Sequence, residues 1–408
     1  MISEAELQEH LKRLDEISHT GIVPGVGRLR QLYSPDEDKV IRMMEEWMQE
    51  IGLVTRHDAA GNLIGRLEGT NPEAKVIATG SHIDSVKNGG HLDGVLGAVS
   101  ALTAVDHLVR NYGRPRIPIE VIAFRGEEAS RFKVSYAGSL AWVGRLKDWF
   151  SFQDSDGITL QEAMLNAGYD PERVQEARRN DLAHFIELHI EQGPLLEHQG
   201  VPVAVVSGII GIHWHHIKLR GRTDHAGGSP MHLRRDPVLA AVRMIDAATR
   251  YINGTGTQAV VTCGHIKATP SVPNIIAGEC DFTFDLRDID ATRLAGHYEK
   301  IRQLCYEIAK EHDVEIEWQR TTDEPPTLCD ANVQEIMRQA CDDLSIPYVN
   351  MASGGGHDSQ IVAELCPVNM LFVASVGGRS HCPEEYTHPT DMKAGVSVLA
   401  ETLKRMAY

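Results

Sequence analysis

The feature that most constrains the fold is the alternation of short apolar segments with helical patterns in the first part of the chain. Residues 75–80 (KVIATG) and 117–124 (IPIEVIAF) have the composition of buried strands, and residues 94–108 between them have the small apolar residues of a buried helix. Residues 3–16 and 35–51 carry apolar positions at helical spacing. Alternation of strand, helix and strand predicts an α/β domain with a mainly parallel sheet flanked by helices.

The pattern changes near residue 207, where strands with alternating apolar residues replace the buried runs. Two long helices separate these strands, which resembles a small α+β sandwich inserted into the main domain. The α/β character returns with a buried strand at 367–374. We therefore predict a main domain of residues 1–207 and 328–408 and an inserted α+β domain of residues 208–327. The predicted elements of the insertion are strands at 213–219, 260–266 and 279–286 and helices at 236–252 and 291–312.

The charge balance limits the classes of partner. Acidic residues outnumber basic ones by 57 to 40, for a formal charge of −17, which argues against a nucleic-acid or membrane surface. The seven cysteines are scattered without a CxxC pair, as in reduced intracellular proteins. The sequence begins without the apolar segment of a secretory signal, and no apolar run approaches the ~20 residues of a membrane span. We predict a cytoplasmic protein without nucleic-acid or membrane partners.

A first group of polar residues follows the strand at 75–80. His82 and Asp84 are two residues apart, so both side chains point the same way in an extended segment. Asp93 precedes the predicted helix at 94–108, where a carboxylate can bridge two cations. Sites in open α/β sheets form beyond the carboxyl ends of strands. Taken alone, the group is equally consistent with a polar loop or a metal site.

Three further groups also belong to strands. Glu127 and Glu128 follow the strand at 117–124, His189 lies in a strand-like stretch, and His381 follows the strand at 367–374. Each has a simpler interpretation, a solvated acidic pair or a structural histidine. Together with the first group they offer mixed imidazole and carboxylate ligands, which suit zinc and also manganese, cobalt or nickel. A free Glu127 beside such a site suits metal-assisted hydrolysis, because it can move a proton from a water to a leaving amine.

The order of these motifs resembles a known family. His82-x-Asp84, Asp93-Gly94, Glu127-Glu128, His189 and His381 look like the signature of the aminoacylase- and carboxypeptidase-like hydrolases with a metal pair (peptidase family M20-type). Other motifs narrow the resemblance, over residues 20–400, to the bacterial N-carbamoyl-L-amino acid hydrolases and allantoate amidohydrolases: the segment 187–193 (ELHIEQG), His225-Ala-Gly, Pro230-Met231, Arg234-Arg235-Asp236 and Ser380-His381.

The resemblance implies two divalent metal ions per subunit (Zn²⁺, or Mn²⁺, Co²⁺ or Ni²⁺) in a catalytic domain, with the insertion as a lid and dimerisation domain. It implies catalytic roles for Glu127 as general acid/base and for Asp84 as the carboxylate that orients a metal-binding histidine. Its implied ligands are His82 and His189 for one metal, His381 and Glu128 for the other, and Asp93 as the bridge.

The resemblance also implies residues that hold the substrate. His225 would polarise the scissile carbonyl from the partner subunit of a homodimer; a turn histidine beside two glycines is the alternative. Arg287 would bind the substrate carboxylate with its planar fork, although a salt bridge with a neighbouring aspartate is a second interpretation. The other implied contacts are Asn274 at the carboxylate, Gln192 at the ureido group, Gly356 and His357 in a closing loop, and Trp214, which favours the carbamoylase type.

Two features depart from the resemblance. His213-Trp214 stands where the allantoate enzymes carry an arginine pair. The histidine-rich stretch 213–216 (His-Trp-His-His) has a third interpretation, adventitious metal binding. Cys382 follows His381 where a Ser or Asn is usual, and a passive side chain or an extra metal contact would both account for it.

The function predicted from the sequence is hydrolysis of the ureido C–N bond of an N-carbamoyl-L-amino acid to the amino acid, CO₂ and ammonia. The alternative is an allantoate amidohydrolase or another hydrolase of ureido or N-acyl compounds. A binding module that kept the fold without catalysis is a different class, and the intact Glu127 and ligand set argue against it.

Overall fold

The first helices begin where the sequence provides caps. In the computed structural model, which describes residues 1–71 and 73–408, helix α1 (Glu4–Ser18) starts after Ser3. The Ser3 hydroxyl accepts a hydrogen bond from the Glu6 amide, and the Glu6 side chain accepts one from the Ser3 amide, which forms a capping box. Helix α2 (Pro35–Glu50) begins at the Ser34 cap with a proline in its first turn.

Two units make up the chain: Met1–Gly208 with Cys329–Tyr408 (unit 1), and Ile209–Leu328 (unit 2). The further elements of the first part of unit 1 are β1 (Ile22–Val23), β2 (Gly27–Arg28), β3 (Val54–His57), β4 (Leu63–Leu67), β5 (Val76–His82), α3 (Val95–Tyr112), β6 (Ile119–Phe124), α4 (Ala137–Trp142), α5 (Leu160–Asn166), β7 (Leu182–Ile190), α6 (Leu195–Gln199) and β8 (Val203–Ile209).

Unit 2 is an antiparallel sheet with two helices on one face. Its elements are β9 (Gly211–Arg220), β10 (Asp224–His225), α7 (Pro237–Gly254), β11 (Val260–Thr262), β12 (Ile266–Thr269), β13 (Ile275–Ile276), β14 (Glu279–Asp288), α8 (Ala291–Glu311), β15 (Glu315–Glu324) and β16 (Thr327–Leu328). The sheet order is β11-β14-β9-β15, and β12 also pairs with β14. In β14 every second residue is buried, which is the pattern of a sheet with one covered face.

The chain then completes unit 1 with α9 (Ala331–Asp343), β17 (Tyr348–Ser353), α10 (Asp358–Val362), β18 (Val368–Val373) and α11 (Pro389–Ala407). The central sheet runs in the order β8-β18-β7-β5-β6-β4-β3, with β17 beside β8. Strands β18, β7, β5 and β6 are parallel, whereas β8 and β4 join them antiparallel. The predicted α/β class is confirmed, and the parallel pairing is concentrated in the middle of the sheet.

Helix α3 is almost wholly buried because it packs on the sheet beneath α1 and α11. Its small residues, such as Gly97 and Ala101, let it lie close to the strands: a side chain at Gly97 would collide with the Leu188 carbonyl of β7. Asp93 directly precedes Gly94, the N-cap of the helix, so close packing on β5 and β7 fixes the position of that carboxylate at their carboxyl ends.

Candidate metal centre

The side chains with metal-binding chemistry lie at the carboxyl ends of the four parallel strands. His82 is the last residue of β5, and Glu127 and Glu128 follow β6. His189 is the penultimate residue of β7, and His381 lies in the segment that follows β18. Parallel strands place their carboxyl ends at one edge of the sheet, so residues that are far apart in sequence come together there.

Asp93 is the centre of this group. Its Oδ1 lies 3.2 Å from His189 Nε2 and 3.6 Å from His82 Nε2, and its Oδ2 lies 3.1 Å from His381 Nε2. Glu128 Oε1 lies 3.2 Å from the same His381 nitrogen. Burial raises the pKa of Asp93, but the surrounding imidazoles lower it more, so its pKa lies well below the ordinary value. One carboxylate therefore joins two sets of donor atoms, and the structure brings all five predicted ligands together.

The ring of His189 shows that these residues fit a cation. Its Nδ1 lies 3.0 Å from the Ile190 carbonyl oxygen, which can only accept, so Nδ1 carries the proton. In the neutral ring Nε2 is then an acceptor, and the Gly94 amide donates to it at 3.2 Å. The same nitrogen faces the Asp93 carboxylate. Acceptor atoms that converge in a buried site are stabilised by a cation between them.

Hydrogen bonds from or to three side chains, those of Gln192, Ser380 and Glu385, hold Asp93 in place. Gln192 Nε2 donates to its Oδ2 at 2.9 Å and the Ser380 hydroxyl donates to the same oxygen at 3.0 Å. The buried carboxylate of Glu385 accepts hydrogen bonds from the amides of Leu92 and Asp93, at 2.8 and 3.0 Å. Gln192, which the resemblance assigns to the substrate, thus donates to the central carboxylate in this structure.

Asp84 connects the ends of β5 and β6. Its two oxygens accept hydrogen bonds from the amides of Glu127 and Glu128, at 2.9 and 3.0 Å. Oδ1 also lies 3.3 Å from His82 Nδ1, and that ring presents its Nε2 toward Asp93. A buried carboxylate in this position orients the imidazole and raises its basicity.

Glu127 is buried among other ionisable groups. Burial raises its pKa well above the ordinary value, the imidazole of His82 lowers it, and the carboxylates of Glu128, Asp358 and Asp84 raise it further. A carboxyl group with a raised pKa at a strand end binds a proton more readily than an exposed one, which is what proton transfer near neutral pH requires.

A cavity of about 180 Å³ opens over these groups. Besides the five predicted ligands and Glu127, its lining residues are Ser135, Tyr136, Gln192, Gly355, Gly356 and His357. Three of the predicted substrate residues, Gln192, Gly356 and His357, therefore lie in the same cavity as Asp93. Its size corresponds to roughly six water molecules, at about 30 Å³ each.

His357 packs edge-on against His189, with 4.6 Å between ring centroids. Its Nε2 lies 2.9 Å from the Ser353 hydroxyl. Burial lowers its pKa well below the ordinary value, and the neighbouring His189 lowers it further. His357 is therefore neutral, which leaves it able to donate or accept a hydrogen bond without bringing charge to the cavity.

Two buried carboxyl groups, those of Glu187 and Asp358, lie near His357. Glu187 accepts hydrogen bonds from the Ser81 hydroxyl at 2.6 Å and from the amide and hydroxyl of Ser359, at 3.1 and 2.6 Å. Asp358 accepts one from the Ser139 hydroxyl at 2.5 Å, and burial, with repulsion from Glu187, raises the pKa of Asp358 to about 8. These bonds tie β5, β7, α4 and the start of α10 together below the cavity.

The other predicted site residues belong to unit 2. His225 and Asn274 are neighbours, because β10 pairs with β13 and the Ala226 amide donates to the Asn274 carbonyl at 3.0 Å. Trp214 is exposed on β9. Arg287 on β14 forms a two-point ion pair with Asp285, at 2.8 Å for each bond, which is the salt bridge considered as its second interpretation.

The histidine-rich stretch 213–216 does not converge on one point. His213 and His215 are buried on one face of β9, whereas Trp214 and His216 lie on the other. His213 Nε2 lies 3.0 Å from Asp323, and His215 stacks on Tyr298. Within residues 1–71 and 73–408, the groups with metal-ligand geometry are the two around Asp93 and a third of Glu187, His189 and His357.

The cysteines agree with the expected free thiols. All seven, each within the described part of the chain, are unpaired, and five of them are buried. Cys382 accepts a hydrogen bond from Arg379 Nε at 3.3 Å and belongs to none of the ligand groups found in the described residues. Among the helices of the described residues, none has the length and apolar character needed to cross a membrane.

Sequence reasoning missed Glu385, Ser135 and Tyr136. Glu385 lies next to another acidic residue, and its hydrogen bonds to the amides of Leu92 and Asp93 join residues 293 and 292 positions apart in the sequence. Tyr136 has φ 65°, which is unusual for a residue other than glycine and marks a constrained turn nine residues beyond Glu127. The amino-acid sequence does not show backbone angles, so this sign is visible only in the structure.

A mixed sheet with imidazoles and carboxylates at the ends of its parallel strands is the architecture of many hydrolases. The sequence model of Peptidase family M20/M25/M40 matches residues 78–405, and the chain belongs to this family. The predicted family and the predicted hydrolase class are thereby confirmed.

Individual relatives match over nearly their whole length. An N-carbamoyl-L-amino acid amidohydrolase from Geobacillus stearothermophilus is 39% identical, over 97% of both chains. An allantoate amidohydrolase from Escherichia coli is 36% identical over 96% of both chains. The crystal structure of an amidase of the hydantoinase/carbamoylase family from Burkholderia multivorans superposes with a TM-score of 0.92, at 30% identity, and covers 98% of each chain.

Proposed function

We propose that the protein is a metal-dependent amidohydrolase that cleaves the ureido C–N bond of an N-carbamoyl-L-amino acid, giving the amino acid, CO₂ and ammonia. The observation that carries the proposal is the pair of donor sets joined by Asp93 beside the buried carboxyl group of Glu127. The similarity to carbamoylases over the whole chain supports the choice of substrate class.

Two divalent metal ions fit the donor sets. His82 and His189 would hold one ion, Glu128 and His381 the other, and Asp93 would contact both. When bound, such a pair polarises the carbonyl group and makes a water molecule nucleophilic at neutral pH. Imidazole with carboxylate suits Zn²⁺, Mn²⁺, Co²⁺ and Ni²⁺ alike, so we propose the ligands and leave the choice among these ions open.

Glu127 moves the proton in this proposal. Its carboxylate takes a proton from the attacking water and returns it to the nitrogen that leaves the ureido carbonyl. Asp84 supports this by holding the amide of Glu127, and thus the strand end, in place. The raised pKa of Glu127 makes its carboxylate a stronger base, which favours removal of the proton from the water.

His225 is suited to stabilise negative charge on the carbonyl oxygen. Its Nδ1 accepts hydrogen bonds from the amides of Gly227 and Gly228, at 3.1 and 3.0 Å. In the neutral ring the proton is therefore on Nε2, which is exposed and can donate. We propose that this group reaches the cavity from the second subunit of a homodimer, with unit 2 as the lid and dimerisation domain.

The substrate carboxylate is proposed to bind at Arg287 and Asn274, with Trp214 nearby on the open face of the sheet. Because Arg287 is held by Asp285, its guanidinium is already oriented and loses little freedom on binding. The free thiols of the chain are in keeping with a cytoplasmic location, which we include in the proposal.

Allantoate is the second candidate substrate, since an allantoate amidohydrolase matches almost as well as the carbamoylase. A substrate panel measured on one metal-analysed sample tests the proposal: N-carbamoyl derivatives of several L-amino acids, allantoate and N-acetyl amino acids. Turnover of N-carbamoyl amino acids that stops on chelation and returns with Mn²⁺ or Zn²⁺ is expected. Turnover of allantoate alone would replace the proposed substrate by the second candidate.

A further inference from the structure

Tyr136 holds an unusual backbone conformation at the edge of the cavity. It caps α4 at φ 65° and ψ 28°, in the left-handed region that a bulky side chain adopts only when its surroundings impose it. Residues of this kind cluster at functional sites, where the surrounding structure holds them in a strained conformation. Helix α4 could begin without a left-handed residue. The position of the Tyr136 side chain is therefore the better explanation for this conformation.

Backbone hydrogen bonds fix Tyr136 against the strand end that carries Glu127. The Tyr136 amide donates to the Glu127 carbonyl at 2.8 Å, and the next two amides donate to the carbonyls of Gly126 and Arg125, also at 2.8 Å. The Tyr136 carbonyl accepts the first bond of α4, from Leu140 at 2.8 Å. These hydrogen bonds hold the backbone of Tyr136 in place from both sides.

The phenol group of Tyr136 lies directly against Gly356. A methyl group added at Gly356 would lie closer than 3.0 Å to the phenol oxygen, so only glycine fits beside this tyrosine. Gly355 and Gly356 line the cavity, as does the half-buried ring of Tyr136. The ring and the glycine backbone meet here, so the Tyr136 side chain closes this side of the cavity.

We infer that Tyr136 is a specificity-determining residue, which limits the substrate to N-carbamoyl amino acids with small side chains. The inference rests on the proposed function and adds to it the size of the group that the cavity accepts. The Tyr136 ring occupies the space between the strand end that carries Glu127 and the backbone of Gly356, so a substrate side chain that extends to this edge of the cavity meets the ring. A flexible residue in place of Tyr136 would leave that side open.

The test compares the kcat/KM for N-carbamoylglycine with that for N-carbamoyl-L-phenylalanine. We expect the wild-type enzyme to prefer the glycine derivative, and Tyr136→Ala to raise the phenylalanine-to-glycine ratio by at least about tenfold, the effect of a changed apolar pocket. Tyr136→Phe keeps the ring and should keep the wild-type preference. Tyr112→Ala, an exposed tyrosine at the far end of α3, is the matched control for removing an aromatic side chain.

A second pair of variants tests the contact with Gly356. Gly356→Ala alone should lower activity toward N-carbamoylglycine by about tenfold or more, because the new methyl group collides with the phenol oxygen. Tyr136→Ala in the Gly356→Ala background should regain most of the loss. This recovery would not follow from a purely structural role of either residue, because two independent structural defects add.

The possible results distinguish the inferred size preference from the proposed function. A wild-type enzyme that hydrolyses N-carbamoyl amino acids, with the same preference in Tyr136→Ala, overturns the inference and leaves the proposed function standing. A wild-type enzyme with no activity on any N-carbamoyl amino acid overturns the proposed function, and the size rule with it. A raised ratio in Tyr136→Ala together with recovery in the double variant supports the inference.

Discussion

Glu127 and Glu128 are adjacent in sequence, yet their surroundings assign them different tasks. Glu128 faces His381, whereas Glu127 is buried beside His82 and bonded to no imidazole of the second donor set. We expect Glu127→Gln to lower kcat by about 10²- to 10⁴-fold, the usual range for a lost general acid–base group. Steady-state kinetics together with elemental analysis checks this, since the metal content should not change.

Glu128→Gln is the matched comparison for that variant. The amide weakens one donor to the second set, so part of the bound metal should be lost, and high metal concentrations should restore activity. Equal metal loss in both variants would contradict the division of roles between the two glutamates.

Glu385 acts on Asp93 through the backbone. Its carboxylate holds the amides of Leu92 and Asp93, and an outer partner of a ligand typically changes metal affinity by about 10- to 100-fold. We expect Glu385→Gln to weaken metal binding within that range in a competition titration with a chelating dye. Glu384→Gln, an exposed neighbour paired with Arg379, should behave as the wild type, and an equal effect of both would refute the assignment.

Some residues of the site can be predicted from the sequence, and others cannot. His82, Asp84 and Asp93 lie within twelve residues, in a recognisable motif at a strand end. Glu385 and Tyr136 act through contacts that exist only after the chain has closed on itself, across 292 residues between the Glu385 carboxylate and the Asp93 amide. Local patterns do not carry that information.

At the scale of the element, α3 has glycines at both ends that experience very different surroundings. Gly94 has φ 66°, and a methyl group there would lie closer than 3.0 Å to the His82 ring; Gly113 has φ 72° with open space around it. We expect Gly113→Ala to lower the free energy of unfolding by about 1 kcal/mol, from backbone strain alone.

Gly94→Ala should be more damaging than Gly113→Ala. It adds a collision with His82 to the same strain, so both stability and metal content should fall. Urea unfolding with metal analysis of the two variants gives the comparison. An equal loss of unfolding free energy in the two variants, with normal metal content in Gly94→Ala, would show that the His82 ring moves aside without affecting metal binding.

The packing of α1 on α3 makes stability depend on pH. His10 is fully buried and bonds Thr103 at 3.0 Å. Burial, with the charge of Arg13, lowers the pKa of His10 to about 3. The pKa of His10 is lower in the folded protein than the value of about 6.5 in the unfolded chain, so the unfolded chain binds a proton more readily. Above pH 6.5 neither state binds this proton, and the folded protein has its full stability. Stability is then lost as the pH falls from 6.5 toward 3, at about 1.4 kcal/mol per unit.

His10→Asn should remove this dependence. The fall in the free energy of unfolding between pH 7 and pH 5 should shrink by about 2 kcal/mol relative to the wild type. His19→Asn, at the exposed end of the same helix, serves as the control. An unchanged pH profile in His10→Asn would assign the acid sensitivity to other groups.

The sequence predicts the strands and helices whose apolar pattern is strong. Residues 75–80, 117–124 and 367–374 correspond to β5, β6 and β18, and the helices predicted at 236–252 and 291–312 correspond to α7 and α8. The antiparallel edges of the sheet were not predictable, because a half-buried strand such as β4 has the same local pattern whichever direction its neighbour runs.

At the scale of the whole molecule, the proposed sharing of sites between subunits has a direct test. Glu127→Gln and His225→Ala should each be nearly inactive as homodimers. After mixing and exchange of subunits, one site of each mixed dimer would combine an intact Glu127 with an intact His225. We expect activity to recover to about one quarter of the wild-type value, since half of the dimers are mixed and each has one complete site.

Separately labelled subunits show whether mixed dimers have formed. Recovery that follows the fraction of mixed dimers supports a shared site. Inactive mixed dimers would mean that each subunit supplies its own His225, whereas an active His225→Ala homodimer would mean that His225 has no part in the reaction.

The chain order of the proposed ligands has a consequence for biosynthesis. His82, Asp93, Glu128 and His189 are all made before unit 2, whereas His381 is made after it, near the end of the chain. While the ribosome is still translating, the emerging polypeptide holds an incomplete set of donor atoms. The second donor set cannot form until His381 has left the exit tunnel, so we expect the proposed metal ion at that position to bind only after unit 2 has been made, and a chain that stops within unit 2 would lack this donor set.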